Sequence, residues 1–105
     1  MAPDDVFHIT TAAGWAGAQS DGEVAPASLA DEGFVHCSTG DQLTGTIERH
    51  FPGATDLVVL RLRRDLLDPE LRWEESGHGT YPHLYRPITL AEVAEATPWP
   101  PTSPT

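Results

Sequence analysis

Polar side chains that can exchange protons or hydrogen bonds recur on one face of three short, otherwise apolar segments. Side chains alternate between the two faces of a strand, so residues two apart lie on the same face. The pairs are His8 with Thr10, His36 with Ser38, and Arg72 with Glu74. If the three faces converge, they form a concave site with an acid/base pair, hydroxyl groups and one cation. We therefore expect one site built from strands that are far apart in the chain.

The segment from Gly33 to Thr39 carries the densest set of these groups. Its alternation places Val35 and Cys37 on one face, where we expect them to belong to the core. The opposite face carries an aromatic ring, an imidazole and a hydroxyl group, which belong to Phe34, His36 and Ser38. A face of this composition is typical of a pocket floor.

Each of these groups also has a simpler explanation. An antiparallel sheet with one solvated face carries polar residues there without any function. Cys37 beside His36 suggests a nucleophile and its base, but neighbouring strand residues point to opposite faces and a buried thiol is usually inert. The histidines and acidic residues do not stand at a recognised metal-ligand spacing, so we expect no metal site.

The length and net charge of the chain limit the number of domains and the kinds of partner that we expect. The chain has 105 residues, which predicts a single α+β domain at residues 1–97, followed by a proline-rich disordered tail at residues 98–105. The formal net charge is −10 and lysine is absent, so binding to extended nucleic acid or to an anionic membrane is not expected. A single cysteine and an N-terminus without signal-peptide character indicate a cytoplasmic protein. The oligomeric state is left open.

Local patterns predict the elements that position the polar residues. Thr11 should cap a helix over residues 12–19, and Thr39 or Asp41 should cap a second helix that stops at Pro52. Trp73 should face the core from its strand. The expected strands are residues 6–10, 33–39, 57–63, 71–74 and 93–97.

Residues 75–87 are rich in glycine, proline, histidine and tyrosine and lack any periodicity, which predicts a loop. A loop of this length in a small domain is often functional. It carries His83 and Tyr85, and we expect it to close over the site.

Four ordered motifs resemble the uncharacterised bacterial family numbered 952 among the domains of unknown function. The motifs are His8-Ile9-Thr10, Gly33-Phe34-Val35-His36-Cys37-Ser38-Thr39, Arg72-Trp73-Glu74 and Pro82-His83-Leu84-Tyr85. The match covers residues 6–97, and the family is distantly similar to the ADP-ribosyltransferase superfamily. This resemblance implies a compact single α+β domain with a split, mostly antiparallel sheet and two main helices around a nucleotide-sized cleft.

The resemblance also implies roles for particular residues. In that superfamily a histidine on the first strand holds the ribose of NAD, a role that falls here to His8. Phe34 or His36 would lie near the nicotinamide, and Glu74 would orient the ribose. NAD is implied by the resemblance alone, and the cofactor is otherwise left open.

The first hypothesis is a small enzyme that acts on a compact ligand of the nucleotide or ADP-ribose type. Its candidate catalytic residues are His8, His36, Glu74 and His83. Its candidate ligand-binding residues are Thr10, Phe34, Ser38, Thr39, Arg72 and Tyr85. One alternative is an NAD-independent acid/base catalyst, such as a cyclase or hydrolase of a small metabolite. Another is a non-catalytic module that only binds a ligand or a partner.

Overall fold

The strands form two main antiparallel sheets and one short two-stranded sheet, and the chain passes between the two main sheets several times. The structure is a computed structural model that describes residues 5–100. The strands are β1 (Val6–Thr11), β2 (Glu23–Val24), β3 (Val35–His36), β4 (Ser38–Thr39), β5 (Leu57–Leu62), β6 (Leu71–Ser76), β7 (Gly79–Leu84), β8 (Ile88–Thr89) and β9 (Val93–Trp99). The α-helices are α1 (Ala12–Asp21), α2 (Ala27–Glu32) and α3 (Leu43–His50).

The larger sheet has the strand order β4-β1-β5-β9 and the smaller one β3-β7-β6, with a short β2-β8 pair beside them. Every pairing among the described residues is antiparallel. The expected α+β domain with a split antiparallel sheet is therefore confirmed. None of the helices within residues 5–100 has the length and apolar character needed to cross a bilayer.

The segment that was expected to form one strand crosses from one sheet to the other. Val35 and His36 pair with β7 in the smaller sheet, whereas Ser38 and Thr39 pair with β1 in the larger one. Cys37 lies between them, and its backbone N–H donates to the carbonyl of a β7 residue at 3.0 Å. Val35 and Cys37 are both buried, as predicted from the alternation.

Strand β5 supplies side chains to two apolar clusters, one on each face of the larger sheet. Leu60 and Leu62 belong to the first cluster, and Leu57 and Val59 to the second. Fully burying each such side chain contributes roughly 2 kcal/mol. Because apolar side chains cover both faces of the larger sheet, its strands hold the polar residues at their ends in fixed positions.

The caps of the helices agree with the expected signals. The Thr11 side chain accepts a hydrogen bond from the N–H of Gly14 at the start of α1. Thr39 and Gln42 form a reciprocal capping box around a 3-10 turn that leads into α3. Both caps satisfy backbone donors that would otherwise lack partners at a helix start.

The predicted loop at residues 75–87 is wrong, since residues 79–84 form strand β7. This strand pairs along its length with β6 and through two residues with β3. Pro82 obscured the strand because proline is rarely found in the middle of a sheet. The Pro82 carbonyl points away from β6 and accepts a hydrogen bond from Cys37. The N–H and C=O of a strand residue point to the same side, so the N–H that proline lacks would also point away from β6. The pairing of β7 with β6 therefore loses no hydrogen bond at this position. His83 thus lies on a rigid strand and not on a closing loop.

Two further expectations fail at sheet edges. Trp73 is 41% exposed, since β6 is an edge strand, and the Arg64 guanidinium lies 5.2 Å from the centre of its ring. Strand β9 continues through Pro98 to Trp99, two residues that were assigned to the tail. Proline is acceptable there because β9 is also an edge strand, and Trp99 packs on the second apolar cluster. Residues 101–105 of the expected tail lie outside the described residues.

Candidate functional site

A cleft with a volume of about 760 Å³ is lined by residues from both sheets, α2 and α3. Ser38 and two imidazoles line it as buried residues, whereas the other polar groups are partly or largely exposed. The lining residues that can take part in chemistry or binding are His8, Thr10, Glu32, Phe34, His36, Ser38, Thr46, Arg49, His50, His78, Tyr81 and His83. All five histidines of the chain are in this set.

His83 is held in a fixed orientation by a carboxylate and an aromatic ring. Its Nδ1–H donates to Oε1 of Glu74 at 2.9 Å, across the β6–β7 pair. Its ring stacks on Phe34, with centroids 4.1 Å apart and planes inclined by 16°. Only 8% of His83 is exposed. Since Nδ1 is occupied, Nε2 is the nitrogen left to exchange a proton with a ligand.

The carboxylate behind His83 is itself held in place. The Tyr85 hydroxyl donates to the same oxygen of Glu74, at 2.5 Å. This bond, and after it the one from His83, lowers the pKa of Glu74 below its ordinary value. The same contact with Glu74 raises the pKa of Tyr85, so the phenol remains protonated and continues to donate. The arrangement is a chain of tyrosine, carboxylate and imidazole that ends at the cleft.

A second imidazole–carboxylate pair lies beside the first. His36 Nε2–H donates to Oε2 of Glu32 at 2.5 Å, and both side chains are about half exposed. Glu32 is the last residue of α2, and Gly33 follows with φ of +90°, a left-handed conformation that favours glycine. This turn ends the helix and starts the crossing segment. The ring centroids of His36 and His83 are 5.3 Å apart.

His8 occupies the buried end of the cleft. Its Nδ1–H donates to the backbone carbonyl of His36 at 2.7 Å, joining β1 of the larger sheet to β3 of the smaller one. Burial lowers the pKa of His8 by more than this hydrogen bond raises it. The ring is therefore neutral at pH 7, with its proton on Nδ1, and Nε2 can only accept a hydrogen bond.

Hydroxyl groups complete the polar lining. Ser38 is buried, and its Oγ is hydrogen-bonded to Oγ1 of Thr46 on α3 at 3.1 Å. Thr10 lines the cleft from β1, two residues beyond His8 as the strand alternation predicts. These hydroxyls can bind a ligand hydroxyl or carbonyl.

Six of the ten candidate residues line the cleft and four do not. Arg72 lies over the Tyr85 ring, with its guanidinium carbon 4.7 Å from the ring centre. Glu74 is placed behind His83, and Thr39 is occupied in the capping box of α3. The structure therefore does not place these four side chains in the lining of the cleft. Of the β6 residues, Glu74 is connected to the cleft through its bond to His83.

Sequence reasoning missed Arg49, His50 and His78 as lining residues. The first two end α3, where a basic residue is also explained by its interaction with the helix dipole. His78 lies in the turn between β6 and β7, inside the segment that was taken for a loop. The sequence did contain one signal for a role at this position. Arg49 and His50 are adjacent, on a chain with only six basic residues against sixteen acidic ones.

Cys37 does not act as a nucleophile here. The residue is 3% exposed, and burial raises the pKa of its thiol to about 12. A thiol with this pKa stays protonated at neutral pH and is a poor nucleophile. Within residues 5–100, no group of three histidine, cysteine or acidic side chains is arranged to hold a metal ion.

Comparison with known proteins places the chain among relatives of unknown role. The family model described as a protein of unknown function, DUF952, matches residues 9–96. The crystal structure of protein CC0527 from Caulobacter crescentus has a TM-score of 0.83 and 33% sequence identity, covering 90% of this chain and 84% of that one. A solution NMR structure of CC0527 gives a TM-score of 0.78 at 33% identity, covering 90% and 83%. No curated protein matches the chain.

Burial of His8 predicts a loss of stability below neutral pH. The pKa of His8 is lowered in the folded protein from the ordinary value of 6.5. As pH falls below about 6.5, the unfolded chain therefore binds a proton that the folded protein does not bind. The free energy of unfolding should decrease by up to about 1.4 kcal/mol per pH unit from this group, until the folded pKa is reached.

Urea unfolding of the wild type and of His8→Asn between pH 8 and pH 5 measures this contribution. The variant should have a flatter pH dependence than the wild type, because it lacks the buried imidazole whose pKa is lowered by folding. Equal slopes for wild type and His8→Asn would contradict the assignment.

Proposed function

We propose that this chain, which belongs to the DUF952 family of proteins of unknown function, is a small acid/base enzyme that acts on a compact ligand in the cleft. The observation that supports this best is the pair of imidazoles, each bonded to its own carboxylate, with ring centroids 5.3 Å apart on one cleft. Imidazole is the side chain whose ordinary pKa best suits proton exchange near neutral pH. A cleft of about 760 Å³ accommodates a ligand of nucleotide size or smaller.

In this proposal His83 is the general base. Its Nδ1 is bonded to Glu74, so Nε2 can accept a proton from a ligand hydroxyl or from water. The negative charge of Glu74 then stabilises the imidazolium that forms, and the stacked Phe34 ring keeps the imidazole plane fixed. Glu74 is a positioning residue, because it acts through His83 and does not line the cleft.

His36 is the general acid on the opposite side of the reacting bond. It is about half exposed, so it can exchange protons with water between turnovers. Its Nε2–H is bonded to Glu32, so Nδ1 is the nitrogen from which a proton passes to the leaving group. A base and an acid placed on two sides of one bond suit a cyclase or a hydrolase, with no cofactor needed for the proton transfers.

Neutral His8 and the hydroxyls of Ser38 and Thr10 orient the ligand. Nε2 of His8 accepts a hydrogen bond, which selects a ligand that presents a hydroxyl group to the buried end of the cleft. The apolar part of the lining, including Phe34, suits a flat or aliphatic portion of the ligand.

A second candidate is an ADP-ribosyltransferase-like activity that uses NAD. It is favoured by one observation, since a neutral His8 on the first strand is suited to accept a ribose hydroxyl. In this version Glu74 would orient the ribose directly. Its oxygen is already bonded by His83 and Tyr85, and this is why we rank the acid/base enzyme first.

Turnover by variants of the acid/base pair tests the first proposal. A panel of cyclic phosphodiesters, lactones and small esters should contain a compound that the wild type converts. His83→Gln and His36→Gln should each reduce kcat by about a hundredfold or more, because each removes a proton-transfer step. Glu74→Gln should also reduce kcat, while KM changes little.

The matched control for Glu74→Gln is Glu75→Gln, which removes the same charge from the adjacent residue. Glu75 is exposed and accepts a hydrogen bond from Thr80, away from His83. If Glu75→Gln lowers kcat as much as Glu74→Gln, or if the histidine variants lose binding but retain kcat, the acid/base proposal fails and a binding module is the better description.

Thermal melting with NAD and with ADP-ribose tests the second candidate. A ligand that binds only the folded protein stabilises it by about 2.7 kcal/mol at a hundred times its Kd. The melting temperature should rise with either compound if the transferase version holds, and His8→Asn should remove the rise. No rise at millimolar concentration of either compound would eliminate this candidate.

A further inference from the structure

We propose that the exposed rim of the cleft, formed by Arg49, His50 and His78, binds the phosphoryl group of the substrate. The inference rests on the proposed function, since it names the substrate class of the same cleft. The substrate is then a compact phosphate monoester whose phosphoryl group lies at the rim and whose reacting part lies between His36 and His83.

The first observation is the separation of charge over the molecule. The chain carries 16 acidic and 6 basic residues, which gives most of its surface a negative potential that repels anions. The cleft departs from this pattern, since it is lined by all five histidines and Arg49. Among residues 5–100, Glu32 is the one acidic residue in the lining, and it is bonded to His36. With the histidines neutral, the lining carries one arginine and one glutamate, so the cleft does not share the strong negative charge of the chain as a whole.

The second observation concerns the surroundings of Arg49. Its Nη2 donates to the Tyr81 hydroxyl at 2.7 Å, and the guanidinium lies 5.7 Å from the centre of that ring. Within residues 5–100, no carboxylate forms an ion pair with it. Arg61 and Arg86, by contrast, are paired with acidic side chains. Arg49 is therefore fixed by a neutral group and keeps its charge and its remaining donors for a ligand.

The third observation is that the rim is held together by two cross-links. Arg49 and His50 end α3, and His78 lies in the turn between β6 and β7. Besides the Arg49–Tyr81 bond, the Gln42 side chain donates to the Thr80 carbonyl at 2.8 Å. These bonds fix the helix against the hairpin, so the guanidinium and the imidazoles stay on one rim without a ligand.

A phosphoryl group fits these donors better than a carboxylate does. A guanidinium can donate two parallel hydrogen bonds to an oxyanion, and each imidazole N–H can donate one more. A phosphate monoester has three terminal oxygens to accept them, whereas a carboxylate has two oxygens in one plane. The proton-exchanging nitrogens of His36 and His83 are left to the rest of the substrate.

Binding of inorganic phosphate to the full chain tests this inference without any assumption about turnover. Titration at constant ionic strength, followed by NMR, should shift resonances of Arg49, His50 and His78 at millimolar phosphate. Arg49→Gln should weaken binding by about tenfold, the value of one charge-assisted hydrogen-bonded contact. His78→Asn should weaken it by a smaller factor.

The matched control is Arg63→Gln, which makes the same change in net charge at an exposed arginine outside the cleft lining. Equal weakening by Arg49→Gln and Arg63→Gln would overturn the inference, because it would mean that only overall charge matters. Acetate binding as tightly as phosphate at the same residues would overturn the phosphoryl assignment. An absence of any phosphate binding would overturn the rim site itself.

Failure of the rim site and failure of the acid/base proposal give different results. Phosphate binding is measured on the wild type, Arg49→Gln and Arg63→Gln, and kcat on the wild type, His36→Gln and His83→Gln, so each proposal has its own set of variants. If phosphate binds as described while the acid/base variants retain kcat, the rim stands and the catalytic proposal fails. If the variants lose kcat on a neutral substrate while phosphate does not bind, the rim inference alone fails.

Discussion

The hydrogen bond from His8 to the carbonyl of His36 joins the two sheets at the buried end of the cleft. A bond of this kind contributes only about 1 kcal/mol to stability, but leaving either buried group without a partner costs about 1–3 kcal/mol. The register of the crossing segment is thereby tied to that of β1. This contact, together with the pairing of β3 to β7 and of β4 to β1, holds His36 and its neighbours over the cleft.

Crossing between sheets explains how so small a domain forms a sizeable polar cleft. If residues 33–39 formed one continuous strand in one sheet, Phe34, His36 and Ser38 would lie in a row on its surface. Instead His36 belongs to the smaller sheet and Ser38 to the larger one, so the cleft opens between them. Phe34 then stacks on His83, and the imidazoles of the two carboxylate-bonded histidines, His36 and His83, lie next to each other.

The alternation of side chains in the sequence was sufficient to predict which residues of the crossing segment face the core and which face the cleft. It could not predict the crossing, because the change of partner strand depends on contacts made far along the chain. Glu74 illustrates the same difficulty. Its pairing with a cleft histidine could be guessed from residue type, but its place behind His83 required the register of β6 against β7.

Amino-acid composition gave a wrong prediction for β7 and did not indicate that the end of α3 lines the cleft. Glycine and proline in residues 75–87 indicated a loop, whereas pairing to β6 imposes a strand that local preference alone would not choose. Arg49 and His50 have an ordinary explanation at a helix C-terminus, and only the fold brings them to the same cleft as His78. Long-range placement, which has no local signature, decides the function of both segments.

The tautomers of the cleft histidines test the central claim most directly. Both His8 and His83 donate from Nδ1, which leaves Nε2 unprotonated in the neutral ring. A long-range proton–nitrogen correlation spectrum of the ¹⁵N-labelled protein should show the proton on Nδ1 for both rings. A neutral His83 ring with its proton on Nε2 and none on Nδ1 would mean that Glu74 does not orient it, and the acid/base account of the cleft would be contradicted.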